Sequence, residues 1–222
     1  MLLRLTFLLA AYTALSAVAG AQVAVLQGKM EGDVYVSPTG EFRLPAPVLL
    51  ELGGKIEDTA NVVIFSDDFN IHISIACFPQ DASQKWELET RGLRDYLLYF
   101  FNEFVLPDFA GRYPGSAIES ARFLPELMDG SLIAYALLPG GSFFEDKSRV
   151  LDSAPANPVT GKRGTLLFVR NHHIFILSTE LAERATQRST YKQTIEQENT
   201  ALSARLTELA NRLVFPAPKP RS

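Results

Sequence analysis

The chain has 222 residues, 47% of them hydrophobic, with 21 Lys+Arg against 25 Asp+Glu for a formal net charge of −4. That acidic balance excludes a nucleic-acid surface built on counterion release, since the densest basic segments, Lys162-Arg163 and Lys219 to Arg221, are short. The single cysteine, Cys77, excludes an intramolecular disulfide, so one large apolar core must hold the fold.

The N-terminus carries Arg4 and then an apolar run from Leu5 to about Val18, followed by small residues at Ala17, Ala19 and Ala21. This order of charge, apolar run and small-residue site predicts a secretory signal peptide over residues 1–21, with cleavage after Ala19 as the alternative. The run is shorter than the roughly 20 apolar residues of a membrane span. No second cysteine offers a lipid attachment point, so the expected product is an exported, periplasmic or secreted chain that is not membrane-anchored. One domain is expected over residues 22–215, with a disordered tail over 216–222.

Short extended segments are predicted around Asp33 to Val36 and Glu41 to Leu44, separated by the turn Ser37-Pro38-Thr39-Gly40. Asn61 to Ser66 reads as a strand covered on both faces. After the polar turn Asp67-Asp68-Phe69-Asn70, the residues Ile71, Ile73, Ile75 and Cys77 alternate with His72, Ser74 and Ala76, which completes a hairpin. A helix is expected over about 82–106, opened by Asp81 with Gln84 and stopped by Pro107; its apolar face includes Trp86, Leu93, Leu97, Phe100 and Phe104. Ala117 to Phe123 and Ser131 to Leu138 form a second hairpin across Met128-Asp129-Gly130. Phe143 to Gly164 is expected to be a long exposed loop. Thr165 to Val169 and His172 to Ser178 pair across Arg170-Asn171, and a long helix at about 190–214 carries the stripe Leu202, Leu206, Leu209, Leu213.

Strands joined by short turns, with helices between and after them, predict an α+β fold with an antiparallel sheet. This order, and the segment Tyr35-Val36-Ser37-Pro38-Thr39-Gly40-Glu41-Phe42-Arg43-Leu44-Pro45, resembles the PsbP-like superfamily of exported photosystem and periplasmic domains. The resemblance would span about residues 30–215. It implies a binding or assembly role and supplies no catalytic residue.

No residue pattern commits the chain to a reaction, a cofactor or a metal. His172 and His173 are neighbours in an extended segment, so they point to opposite faces and cannot easily share an ion. Cys77 lies on the apolar face of its strand and reads as an inert thiol. The serines lack a nucleophile elbow. Asp67-Asp68 with Asn70 lacks the calcium-loop series, and Glu145-Asp146 is a similar bare pair. Gly161-Lys162-Arg163-Gly164 lacks phosphate-loop spacing. Pro139-Gly140-Gly141-Ser142 is a strand-ending turn whose N–H groups are the alternative anion site. The loop aromatics Tyr113, Phe143 and Phe144, together with Phe109, mark the expected surface for a protein partner. A carboxylate hydrolase, or a carrier with a cavity between sheet and helix, is the alternative.

Overall fold

In the chain's strands, alternation of apolar residues decides which side faces which layer. The computed structural model describes residues 26–144 and 159–217; the expected leader, most of the expected tail and the pair Glu145-Asp146 lie outside them. A three-stranded antiparallel sheet is formed by β1 (Lys29–Glu31), β2 (Val34–Val36) and β3 (Arg43–Pro45). The main sheet has seven strands, all antiparallel. They are β4 (Lys55–Asp58), β5 (Val62–Ser66), β6 (His72–Pro79), β7 (Ala117–Leu124), β8 (Ser131–Pro139), β9 (Thr160–Arg170) and β10 (His173–Glu180), in the spatial order β4-β5-β6-β10-β9-β8-β7. The fold is α+β, with helices on both faces of this sheet.

One face carries Val63, Phe65, Ile75, Cys77, Leu166, Phe168, Phe175 and Leu177. Over it lie the small sheet, through Tyr35, Phe42 and Leu44, and helix α5 (Ile195–Arg212), through Leu202, Leu206 and Leu209. Tyr35 packs edge-on against Phe65 with ring centres 5.6 Å apart, and its hydroxyl donates to Asp58 at 2.8 Å. Helix α5 begins later than the sequence suggests. Thr194 accepts from the Gln197 N–H while the Gln197 side chain accepts from the Thr194 N–H, a full capping box that fixes the start at Ile195. The residues before it form a short helix, α4 (Ala182–Gln187), and a tight turn over Arg188–Thr190.

The helix expected over 82–106 is three segments and runs further. Helix α1 (Ala82–Arg91) ends at Gly92, whose φ of 77° and ψ of 162° suit glycine alone, and α2 (Leu93–Phe100) leaves in a new direction. Pro107 does not stop the chain. A wide π turn over Phe101–Val105, in which the Leu106 N–H reaches back to the Phe101 carbonyl, precedes α3 (Leu106–Arg112), and Pro107 sits in the first turn of α3, where its missing N–H costs little.

The hairpin turns also differ in detail. The β9–β10 connection is Asn171-His172, both at positive φ (48° and 61°), as a two-residue turn matching strand twist demands. The β7–β8 connection is the longer segment 125–130, in which Met128, Asp129 and Gly130 all have positive φ. Among the described residues no helix is long and apolar enough to cross a membrane.

Candidate functional site: a groove between sheet and helices

The second face of the main sheet is only partly covered. Tyr96, Leu97, Phe100, Phe101, Val105 and Phe109 bury against Leu132, Ala134, Ala136, Leu138, Leu167 and Ile174, which belong to β8, β9 and β10. On the same face, β5 and β6 present Val62, Ile64, His72, Ser74, Ala76 and Phe78, all only half-buried. Asn61 to Ser66 is therefore not a strand covered on both faces. The step between the covered and bare halves forms a groove of about 790 Å³. Sites for small organic ligands occupy roughly 300–1,000 Å³ and combine apolar walls with a few convergent polar groups.

Small side chains keep the floor low: Ser74, Ala76 and Ser178 lie there, with the Ser178 and Thr165 hydroxyls 3.2 Å apart. Phe100, Phe104, Val105 and Phe109 form the helical wall. The π turn places Phe104 there, where it stays 48% exposed, while Phe101 and Val105 turn into the core. Phe104 packs on Phe100 with ring centres 4.8 Å apart.

At one end of the groove sits Arg163, 6% exposed, on β9. Its Nη2 donates to the Gly141 carbonyl at 2.9 Å, while Nε is buried with no hydrogen-bond partner among the described residues and stands 3.8 Å from Glu180. The Phe143 ring lies 3.7 Å over the guanidinium and stacks on His72 at 3.5 Å, so it is clamped between the two. Burial lowers the Arg163 pKa, with Glu180 opposing it, and burial raises that of Glu180. Glu180 accepts from the Ser142 hydroxyl and from the Phe143 N–H at 2.9 Å, which pins the start of the loop. Asp108, the one carboxylate lining the groove among the described residues, pairs with Arg112 at 3.1 Å on the rim.

The structure sorts the sequence-predicted residues. Phe143 lines the groove and is 40% exposed. Tyr113 closes α3 half-buried, 5.5 Å from the Arg163 guanidinium. Phe144 is not a surface residue: it is 1% exposed and packs with Ala182, Ala185 and Val159, the apolar contacts that α4 and the residue before β9 offer it. The expected loop surface also shrinks, since 106–112 is helix and β9 begins at Thr160 rather than Thr165. Lys162 and Arg163 were read as loop charges but are buried strand residues on opposite faces. Lys162 is fully buried and meets Glu119 and, at 2.8 Å, Glu198. Two buried cations interrupt the apolar alternation, which hid the strand. The notable signal was their position directly before an apolar strand.

The remaining residues singled out in the sequence have the following surroundings. Asp67 accepts from the N–H groups of Phe69, Asn70 and Ile71 at 2.8–2.9 Å, a side-chain-closed turn. Cys77 is 4% exposed, with its thiol pushed up to about 12 by burial and then by Glu41. His173 lies 2.9 Å from the Asn171 carbonyl and 3.7 Å from Glu41. The Gly140 and Gly141 N–H groups bond to Val159 and Leu138 carbonyls, so that turn has no spare donors there for an anion. Among the described residues no cluster of three His, Cys, Asp or Glu side chains could hold a metal.

No protein-family model matches the chain. No curated protein matches it either. Among solved structures 14 chains match. One is the solution structure of cyanobacterial PsbP (CyanoP) from Synechocystis sp. PCC 6803, at 11% sequence identity and a TM-score of 0.44, covering 82% of this chain and 91% of that one. At that level the likeness carries no argument about function, which rests on the groove itself.

Proposed function

We propose that this chain is an exported, non-catalytic binding domain that holds a small apolar ligand in the groove between sheet and helices, with Phe143 and Tyr113 at its end. The observation that carries this reading is the 790 Å³ groove, with an apolar wall and a floor of small side chains, left by a helical layer that covers only part of the sheet. A carboxylate hydrolase needs two acids converging on one pocket. Among the described residues the lining supplies Asp108 alone, already paired with Arg112.

The test is fluorescence of the neutral probe N-phenyl-1-naphthylamine, which brightens in apolar surroundings, with the wild type and with Ala76→Phe. Ala76 lies mid-floor, so a phenyl ring there fills the groove from below. Saturable brightening by the wild type and its loss in Ala76→Phe are expected. Equal signals from the two proteins contradict the reading. An envelope protein inserting an apolar side chain into this groove is the second reading, favoured by Trp86 and Phe104, which are 60% and 48% exposed. The Ala76→Phe substitution would abolish that binding too.

A further inference from the structure

The groove's two ends differ in chemistry. Along its length the lining is mainly apolar or hydroxyl-bearing, with Asn61, His72 and Gln84 besides, and its charged groups among the described residues are Arg163, Arg112 and Asp108. With Glu180 standing 3.8 Å from Arg163, two guanidinium groups face two carboxylates here, so the site's preference is set by which donor is left unmet rather than by net charge. Of the two cations, Arg163 is the unusual one. It is more than nine-tenths buried, its Nε donates to nothing among the described residues, and the nearest carboxylate there, Glu180, stands at 3.8 Å, an ion-pair contact beyond hydrogen-bond distance. A buried guanidinium with an unmet donor is costly in an apolar setting, and an anion supplied by a ligand would meet it. Glu180 balances the charge of Arg163 but does not meet its Nε donor, because the Glu180 oxygens accept from the Ser142 hydroxyl and the Phe143 N–H instead. The Phe143 ring, 40% exposed, lies over the Arg163 guanidinium and stacks on His72, and all three residues line the groove.

Resting on the groove being a ligand site, we propose that its ligand is a monoanionic amphiphile, an organic acid with an apolar chain or ring. Its head pairs with Arg163 beside the Phe143 ring, and its body lies between the Ala76 floor and the Phe104 wall. Apolar burial supplies most of the affinity, and the charge-assisted hydrogen bond supplies the preference for an anion.

Calorimetric titration of the purified protein with dodecanoate and with dodecanol, both below their aggregation limits, tests this on ligands of equal chain length. The wild type is expected to bind dodecanoate at least about tenfold more tightly than dodecanol. Arg163→Met, checked by far-UV circular dichroism for folding, is expected to bring the two within about twofold by weakening the acid alone. If Arg163→Met fails to fold, the wild-type comparison still decides. Equal wild-type affinities overturn the anion preference and leave the groove reading intact. Binding of both ligands that is unchanged by Ala76→Phe overturns both.

Discussion

At the residue scale, burial decides chemistry more than residue type does. Cys77 is the chain's only thiol and faces the core between sheet and small sheet, where burial pushes its pKa up to about 12. A thiol held that far above neutral pH carries almost no thiolate. Cys77 is therefore expected to stay unmodified by a thiol-disulfide reagent in the native protein at neutral pH and to react fully once denaturant unfolds the chain. Rapid native modification, followed by absorbance of the released thiolate, would show the site open. The alternation Ile71, Ile73, Ile75, Cys77 made this side of the strand legible from the sequence. Arg163 was not legible in the same way, because a charge in a sequence reads as solvated unless something says what buries it. Here the burial comes from Phe143, Tyr113 and Phe109, whose rings lie 3.7, 5.5 and 5.6 Å from the guanidinium. All three rings belong to residues expected to meet a partner; they meet a cation of their own chain.

At the element scale, the breaks in the first helical stretch matter as much as its length. Gly92 gives φ 77° and ψ 162°, a conformation open essentially to glycine, and it turns α1 away from α2. An added Cβ there meets nothing within 4 Å, so substitution is penalised by the backbone alone. Gly92→Ala is expected to lower the unfolding free energy by about 1–3 kcal/mol in urea titration. No change would mean that α1 and α2 run on as one helix. The helical periodicity from Trp86 to Phe104 identified the stretch but not its breaks. Trp86 belongs to the periodic face by spacing yet is 60% exposed, because α1 has turned off the sheet before the pattern repeats. Pro107 looked like a terminator because a proline inside a helix usually is one. The π turn before it changes that, and no sequence rule used above signals such a turn. The capping box at Thr194-Gln197 is present in the sequence, but the leucine stripe that identifies α5 does not fix where the helix starts.

At the scale of the whole molecule, the antiparallel sheet, the helical layer and the C-terminal helix were readable from hairpin spacing and periodicity. The groove was not, since it depends on where a helical layer lands across seven strands. That placement is set by the match of Phe100, Phe101 and Phe109 to small residues such as Ala134 and Ala136, which are distant in the chain. The possibility of a cavity between sheet and helix could be stated from the sequence, but its lining residues could not. Because β5 and β6 lie on the side of the sheet away from β8, the helices leave their second face open, and that open face is the molecule's candidate function.

The most direct test of that claim is to titrate the isotopically labelled protein with dodecanoate and follow its backbone amide and methyl resonances. The account predicts saturable shifts concentrated at Val62, Ile64, Ala76, Ile176 and the Arg163–Phe143 end, with the opposite face around Leu202 and Leu206 silent. Shifts scattered over the surface, or confined to the α5 side of the sheet, would contradict it.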